Sequence, residues 1–203
     1  MASDPFFAAI EARRTIYALS ASSPIPDERI VELVQKAIRH VPSSYNVQSA
    51  RVVVILKEDH KKLWDFADVA IKETMPEAVY GFLAPRLAGF KAAYGSVLFF
   101  EDDADLEKMK ADHPSAAPLV NEFSDVSSGM HQFTVWTALK AEGLGGSLQH
   151  FQFSPAFVEK VQEEWKVPKT WKLKAQLVIG TPTGEPAEKT FKPIDDRVKV
   201  YGQ

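Results

Sequence analysis

Two short segments of the sequence carry side chains suited to a phosphorylated ring compound. Arg13-Arg14-Thr15 places two guanidinium groups beside a hydroxyl, at the end of an apolar segment with helical spacing. Guanidinium groups bind phosphate oxygens in a bidentate manner, so this segment is a candidate phosphate site. Residues 42–48, Pro-Ser-Ser-Tyr-Asn-Val-Gln, bring hydroxyl and carboxamide groups into a turn before an apolar strand. Such groups suit a neutral, hydrogen-bonding ring.

Two further segments are candidates for the same ligand. Residues 143–150 read Gly-Leu-Gly-Gly-Ser-Leu-Gln-His, and three glycines allow the backbone to approach a flat molecule closely. The glycine spacing is not that of a dinucleotide-binding fingerprint, and a helix precedes it rather than a strand. His150 is the most chemically suggestive of the five histidines, which show no close metal-ligand spacing. Lys192 and Arg197 make the C-terminal segment locally basic.

Each segment also has an ordinary structural explanation. Arginines at a helix C-terminus complement the helix dipole, and Pro-Ser-Ser is common in loops. The glycines could form a helix cap and a turn, and a lone histidine is more often structural than catalytic. The basic C-terminal residues could belong to a solvated tail. None of these signals is specific when it is taken alone.

Composition narrows the class of protein. The 203 residues contain no linker and predict one domain over residues 1–203, with a C-terminal arm over 190–203. A net charge of −3 disfavours nucleic acid as a partner, and the absence of cysteine excludes disulfides, thiolate catalysis and cysteine-ligated metals. No apolar stretch approaches the roughly 18 residues that cross a bilayer, and the start of the chain is not typical of a signal peptide. We expect a cytoplasmic protein, or a nuclear one in a eukaryote.

Hydrophobic spacing predicts interleaved helices and strands, which is typical of α/β or α+β layers. A continuous β-branched run at 51–56 predicts a strand buried on both faces, and Gln48 at its start should then need a buried partner. Residues 75–93 have helical spacing interrupted by proline and glycine, which suggests a lid-like segment. The other predicted helices cover residues 4–14, 27–40, 59–72, 103–113, 118–142 and 155–165, and the other strands cover 97–101, 145–150 and 173–180.

The order of these segments is more specific than any one of them. An Arg-Arg-Thr helix end, a Pro-Ser-Ser-x-Asn-x-Gln turn before a strand, a long helix ending in Gly-Leu-Gly and a basic C-terminal arm together resemble the nitroreductase family. The resemblance spans residues 6–198. It is nearest to a small branch found in fungi and some bacteria, which includes yeast-type proteins linked to fatty-acid signalling and nitro-compound reduction.

This resemblance implies a three-layer α+β sandwich with a mixed sheet flanked by helices. It also implies an intertwined homodimer that exchanges C-terminal arms and binds FMN at the interface. Arg13 and Arg197 would hold the phosphate, and Tyr17 stands where many relatives carry a basic residue near the ring. The other implied cofactor contacts are Arg14 and Thr15 near the flavin, Ser43, Ser44, Asn46 and Gln48 on the ribityl chain and ring from the partner subunit, and Leu148, Gln149 and His150 at the reactive edge.

The function implied by the resemblance is that of an FMN-dependent oxidoreductase. NADH or NADPH would donate a hydride, and a small aromatic acceptor such as a nitroaromatic or quinone would take the electrons in a ping-pong sequence. No catalytic side chain and no metal are expected, because the cofactor carries the chemistry. Two alternatives stay open, namely a flavin-binding sensor with little turnover and a structural module in which the arginines merely pair with acids.

Overall fold

The computed structural model describes residues 1–202, so the last residue of the predicted arm, Gln203, lies outside the described residues. Seven helices and five strands alternate along this part of the chain. The helices are α1 (Asp4–Ala12), α2 (Asp27–His40), α3 (Lys57–Thr74), α4 (Glu77–Lys91), α5 (Asp103–Asp112), α6 (Val120–Ala141) and α7 (Pro155–Glu164). The strands are β1 (Leu19–Ser20), β2 (Ala50–Leu56), β3 (Gly95–Asp102), β4 (Gly145–Gln149) and β5 (Trp171–Pro182).

One twisted sheet forms the middle layer, in the order β1-β5-β3-β2, with β4 also paired to β5. All four ladders are antiparallel, and an isolated bridge between Thr15 and Gly146 supplies a parallel pairing. Two apolar clusters lie on opposite faces of the sheet. Helices α3, α4 and α7 bury their apolar residues on one face, and α2 and α6 on the other. The predicted α+β sandwich is therefore confirmed.

The strand predicted at 51–56 has side chains in both apolar clusters, as expected, but it is not fully buried. Strand β2 lies at the edge of the sheet and pairs only with β3, so most of its residues are half-buried and only Ile55 is buried. Strand β3, by contrast, has a neighbour on each side and is buried along its whole length. A run of β-branched residues favours a strand, but it does not specify whether a second neighbouring strand is present.

Helix α4 is continuous where the sequence suggested interruptions. It runs from Glu77 to Lys91 with Pro85 inside it, and Pro76 immediately precedes its first residue. Leu87 and Phe90 are buried, and the ring centroid of Phe90 lies 4.8 Å from that of Trp64. This burial on α3 compensates for the backbone hydrogen bond that a proline removes.

A series of buried, hydrogen-bonded polar groups crosses the core between α3 and β3. The Trp64 indole N–H donates to Ser96 Oγ at 3.1 Å, and the Ser96 hydroxyl lies 3.1 Å from His60 Nδ1. His60 Nε2 lies 2.8 Å from the carbonyl oxygen of Phe90, which can only accept. Each group is satisfied if His60 is neutral and protonated on Nε2. Burial lowers the pKa of His60 to about 4.

This network predicts a loss of stability on mild acidification. An unfolded histidine has a pKa of about 6.5, so between pH 6.5 and about 4 the unfolded chain takes up a proton that folded His60 does not. The shift corresponds to about 3 kcal/mol, which should be lost from the free energy of unfolding as the pH falls through that window. Urea denaturation at pH 7 and pH 4 should show this loss, and His60→Gln should show less of it. Equal losses in both proteins would contradict the assignment.

Candidate functional site

The first predicted segment lies where α1 ends against α6. Helix α1 has no buried residue, and the chain becomes extended at Arg13. The Arg13 guanidinium carbon lies 4.3 Å from the ring centroid of Trp136 and 5.6 Å from that of Phe133. Burial, and secondarily the charge of Arg14, lowers the pKa of Arg13. A bound anion would offset both effects, because an opposite charge favours the protonated form.

Two buried N–H donors at this position have no partner among residues 1–202. They are Arg13 Nε and the indole Nε1 of Trp136, the two groups that lie against each other. Buried donors are satisfied in nearly all native proteins, so such a pair fits a ligand that brings acceptor oxygens. A phosphate, or the oxygens of a ribityl chain, meets this requirement. The residues present therefore fit the phosphorylated ring compound that the sequence predicted.

The segment after Arg13 is joined to β4. Thr15 forms the parallel bridge to Gly146, and the Ile16 N–H donates to the Gly146 carbonyl at 3.0 Å. The first and third predicted segments therefore lie side by side. Leu148 and Gln149 are half-buried at the end of β4, whereas His150 is exposed.

A cleft of about 590 Å³ opens beside this junction. Arg14 donates a hydrogen bond to the carbonyl of Ala187, and the Thr183 N–H donates to the Ala18 carbonyl at 2.9 Å, so the start of the C-terminal segment forms one wall. Tyr17 is 65% exposed at the rim. The lining residues are Arg13, Arg14, Thr15, Tyr17, Ala18, Glu185, Ala187, Glu188 and Lys189.

The second predicted segment forms a turn with an unusual backbone. Tyr45, Asn46 and Gln48 have φ angles of 54°, 52° and 52°, in the left-handed region that side chains other than glycine rarely adopt. Ser43 organises the turn, because its carbonyl accepts from the Asn46 N–H at 3.0 Å and its Oγ accepts from the Gln48 N–H at 3.0 Å. Ser44 is half-buried. The shape of the turn is thus supported by hydrogen bonds within the chain.

Some side chains of this turn pack against the rest of the protein, and others are exposed to solvent. Val47 packs on the small apolar cluster between α5 and α6, and the ring centroid of Tyr45 lies 4.4 Å from that of His113. Asn46 and Gln48 are exposed, so the expectation that Gln48 has a buried partner is wrong. The expectation failed because it assumed a fully buried β2. Both carboxamides are instead available to an external group.

Within the single chain, the turn at 43–48 and the segment that begins at Arg13 lie apart. The turn contacts α6 near Phe123, whose ring lies 6.4 Å from that of Tyr45, whereas Arg13 contacts α6 at Phe133 and Trp136. These points lie about 15–20 Å apart along a helix that rises about 1.5 Å per residue. Arg197 lies in the exposed C-terminal arm, and the only hydrogen bond described for it joins its N–H to the carbonyl of Ile194.

The glycines at the end of α6 are explained by contacts within the chain. Gly143 has a φ of 91° and caps α6, as predicted, with the Leu144 N–H donating to the Leu139 carbonyl at 3.1 Å. A Cβ at Gly145 would lie 2.7 Å from Leu19 Cδ2, and a Cβ at Gly146 would lie 3.0 Å from Trp136 Nε1. Residue 146 must therefore be small for Trp136 to lie under Arg13.

Comparison with known proteins identifies the family. The sequence model of the Nitroreductase family matches residues 10–181. The HBN1 protein of Saccharomyces cerevisiae is 40% identical over 194 residues, which cover 95% of this chain and 94% of that protein. The chain belongs to the nitroreductase family. The family predicted from the order of the motifs is thus confirmed.

Solved structures agree with this membership. Nitroreductase CinD from Lactococcus lactis, in complex with chloramphenicol, is 35% identical and superposes with a TM-score of 0.88, covering 97% of this chain and all of CinD. A nitroreductase from Desulfitobacterium hafniense with bound FMN is 14% identical, with a TM-score of 0.70 and 97% of each chain covered, and shares the fold. No helix within residues 1–202 of this family member is both long and apolar enough to cross a membrane. The cytoplasmic location stays a prediction.

Sequence reasoning missed two residues of this family member that the structure places at the candidate site. Trp136 lies within the helix predicted at 118–142, and its contact with Arg13 joins positions far apart in the sequence. Arg51 is the first residue of the strand predicted at 51–56, yet its Nη1 donates to the carbonyl of Gln48 at 2.8 Å. No local motif marks either residue. The roles of the predicted site residues toward a cofactor stay predictions.

Substituting Gly146 should destabilise the protein through Trp136. In Gly146→Ala the added methyl would also lie 3.2 Å from Leu177 Cδ1 and from the Val178 carbonyl, so Trp136 or the strand must move. We expect the free energy of unfolding to fall by about 1–3 kcal/mol. Gly89→Ala is the matched control, because a Cβ there meets nothing within 4 Å and alanine favours a helix by up to about 1 kcal/mol. Urea unfolding that shows no loss in Gly146→Ala would contradict this packing.

Proposed function

We propose that this protein is an FMN-dependent NAD(P)H oxidoreductase that acts on nitroaromatics or quinones as a homodimer. Residues 1–203 would form one FMN-binding domain, with residues 190–203 as an arm exchanged between subunits. The observation that carries the proposal is the Arg13–Trp136 pair, in which two buried donors lack a partner among residues 1–202, at the position where family resemblance expects the phosphate. Membership in the nitroreductase family supports it.

The proposed dimer would complete the site. The turn at 43–48 and the segment at 13–17 lie at separate points of α6, so Ser43, Ser44, Asn46 and Gln48 of one subunit would meet Arg13 of the other. An exposed apolar stripe on and beside α6 supports burial of this face between subunits. The stripe consists of Leu119, Val126, Met130 and Phe133, with Phe6 and Phe7 of α1 close by.

The exposed arm supports the same arrangement. Its apolar side chains are exposed in the single chain, and Arg197 among them would join Arg13 at the phosphate. Burying such residues against a second subunit would remove apolar surface from water, which favours association. The exposed apolar residues of the arm are Phe191, Ile194, Val198, Val200 and Tyr201.

The chemistry would be divided between cofactor and protein. When bound, FMN would supply the two-electron redox chemistry that couples oxidation of NADH or NADPH to reduction of the acceptor in a ping-pong sequence. Arg13 and Arg197 would bind the phosphate, Arg14 and Thr15 would lie beside the flavin, and backbone groups at residues 148–150 would face the ring. Carboxamides of the turn would hydrogen-bond the ribityl chain and ring edge. Tyr17 would face solvent beside the ring, where it can limit access but bears no charge.

The acceptor class is supported by relatives. CinD has been solved with chloramphenicol and with 4-nitrophenol, both of which are nitroaromatic compounds. CinD is 35% identical to this chain over nearly all of both chains. A related pocket in this protein would admit a small nitroaromatic ring.

Purified protein should bind FMN and show a flavin absorbance spectrum that NADH or NADPH bleaches. Addition of menadione or 4-nitrophenol should restore the oxidised spectrum and support steady turnover. A protein that binds FMN but turns over neither acceptor would instead be a flavin-binding sensor. A protein with no affinity for FMN would refute both.

Arg13→Ala should weaken FMN more than riboflavin. The phosphate is the only part that riboflavin lacks, and removing a charged hydrogen bond to it should cost about 1.5–3 kcal/mol, or about 10- to 100-fold in Kd. Fluorescence titration of the FMN-free protein with each ligand measures both constants. Arg39→Ala is the control, because Arg39 is an exposed arginine on α2. Equal weakening of both ligands would place the phosphate elsewhere.

A further inference from the structure

We infer that Arg51 is a positioning residue that holds the turn at 43–48 in the shape needed to bind the flavin. This inference rests on the proposed function, since it concerns the turn that would contact FMN. The guanidinium of Arg51 contacts the backbone of the turn and the start of α5, so it would act through Gln48 and not on the cofactor.

Arg51 connects the last residue of the turn to the start of α5. Its Nη1 donates to the carbonyl of Gln48 at 2.8 Å, and its Nη2 lies 2.6 Å from Asp105 Oδ2 and 3.2 Å from Asp102 Oδ2. Asp102 is in turn fixed as the N-cap of α5, where its side chain accepts from the Ala104 N–H at 3.1 Å. One planar guanidinium therefore spans turn and helix, a geometry for which its fixed fork of donors is suited.

The backbone conformation of Gln48 explains why this hydrogen bond from Arg51 is needed. Its φ of 52° lies in the left-handed region, which is unfavourable for a residue with a Cβ. Two hydrogen bonds oppose relaxation of this angle. The Gln48 N–H donates to Ser43 Oγ, and the Gln48 carbonyl accepts from Arg51. With the carbonyl released, the ψ angle of Gln48 could change, and the turn at 43–48 would then reorient relative to β2, which Ser49 holds in place.

Hydrogen bonds fix the next residue, Ser49, but they do not involve the Gln48 carbonyl. Ser49 is buried, with its Oγ donating to Glu101 Oε2 at 2.5 Å and its carbonyl accepting from the Asp102 N–H at 2.9 Å. These bonds secure the entry to β2 on β3. They leave the orientation of the Gln48 carbonyl to Arg51, which is the only side chain described as donating to that carbonyl among residues 1–202.

The molecule contains a second arginine with similar ion pairs that does not touch the turn. Arg29 lies 2.8 Å from Glu32 and also pairs with Glu142, and its side chain is 35% exposed, against 28% for Arg51. Arg29→Ala removes one arginine and two ion pairs at comparable exposure. It is therefore the matched control for any general effect of losing such a group.

The test compares Arg51→Ala, Arg51→Lys and Arg29→Ala with the unmodified chain. Fluorescence titration should show that Arg51→Ala weakens FMN and riboflavin by the same factor, about tenfold or more, because the turn would contact ring and ribityl chain and not phosphate. Lysine has one ammonium group that cannot reproduce the fork, so Arg51→Lys should give a smaller loss. Arg29→Ala should bind both ligands within about twofold of the unmodified chain, a change well below the tenfold step of 1.4 kcal/mol.

Hydrogen exchange of the FMN-free protein supplies a readout that needs no cofactor. The Asn46 and Gln48 amides, both bonded to Ser43, should exchange faster in Arg51→Ala and stay protected in Arg29→Ala. Unchanged exchange would overturn the inference even if the unmodified chain binds no FMN, a result that would separately reject the proposed function. Loss of FMN affinity with riboflavin affinity intact would also overturn it. If Arg51→Ala does not fold, Arg51→Lys decides, and wild-type affinity and exchange in that variant would refute the role of Arg51.

Discussion

The packing of α6 across one face of the sheet is the constraint on which the candidate site depends. Near its start this helix carries Phe123, beside which Tyr45 of the turn lies, and near its end it carries Trp136, on which Arg13 stacks. Val135 and Leu139 of α6 are buried against the sheet, so the helix cannot rotate without exposing core residues. Each half of the site is thereby held at a fixed place along one rigid element.

The junction at Gly146 shows how packing at the sheet edge determines the electrostatics of the site. A glycine there lets the indole of Trp136 reach β4, and the indole in turn supports the Arg13 guanidinium by a cation–π contact. The aromatic surface removes water from one side of the charge, and this burial lowers the pKa of Arg13. A guanidinium that is partly desolvated and keeps an unused N–H interacts more strongly with an anion than one in free solvent.

The sequence predicted individual helices and strands better than it predicted which elements pack or pair with them. Apolar spacing and the Pro26-Asp27 start gave α2 its bounds, and Gly143 was correctly predicted to cap α6, because both signals are local. The extent of burial of β2 and of Gln48 was predicted wrongly, since whether a strand lies at an edge depends on which other strands pair with it. Helix α4 continues through Pro85 because contacts with α3 outweigh local propensity. The family was predictable because the order of motifs combines several weak signals.

The contacts that the sequence could not indicate are those that link distant segments. Arg13 with Trp136 and Arg51 with Asp105 join residues on different elements, and neither pair has a characteristic spacing. The turn at 43–48 places three residues other than glycine in the left-handed region, and such a backbone persists only where surrounding contacts hold it. Ser43 supplies contacts from inside the turn, Val47 packs below it, and Arg51 ties its last carbonyl to α5. Because these contacts all lie within the chain, the protein itself holds the turn that presents the exposed carboxamides of Asn46 and Gln48, and less ordering of the turn is required when a ligand binds.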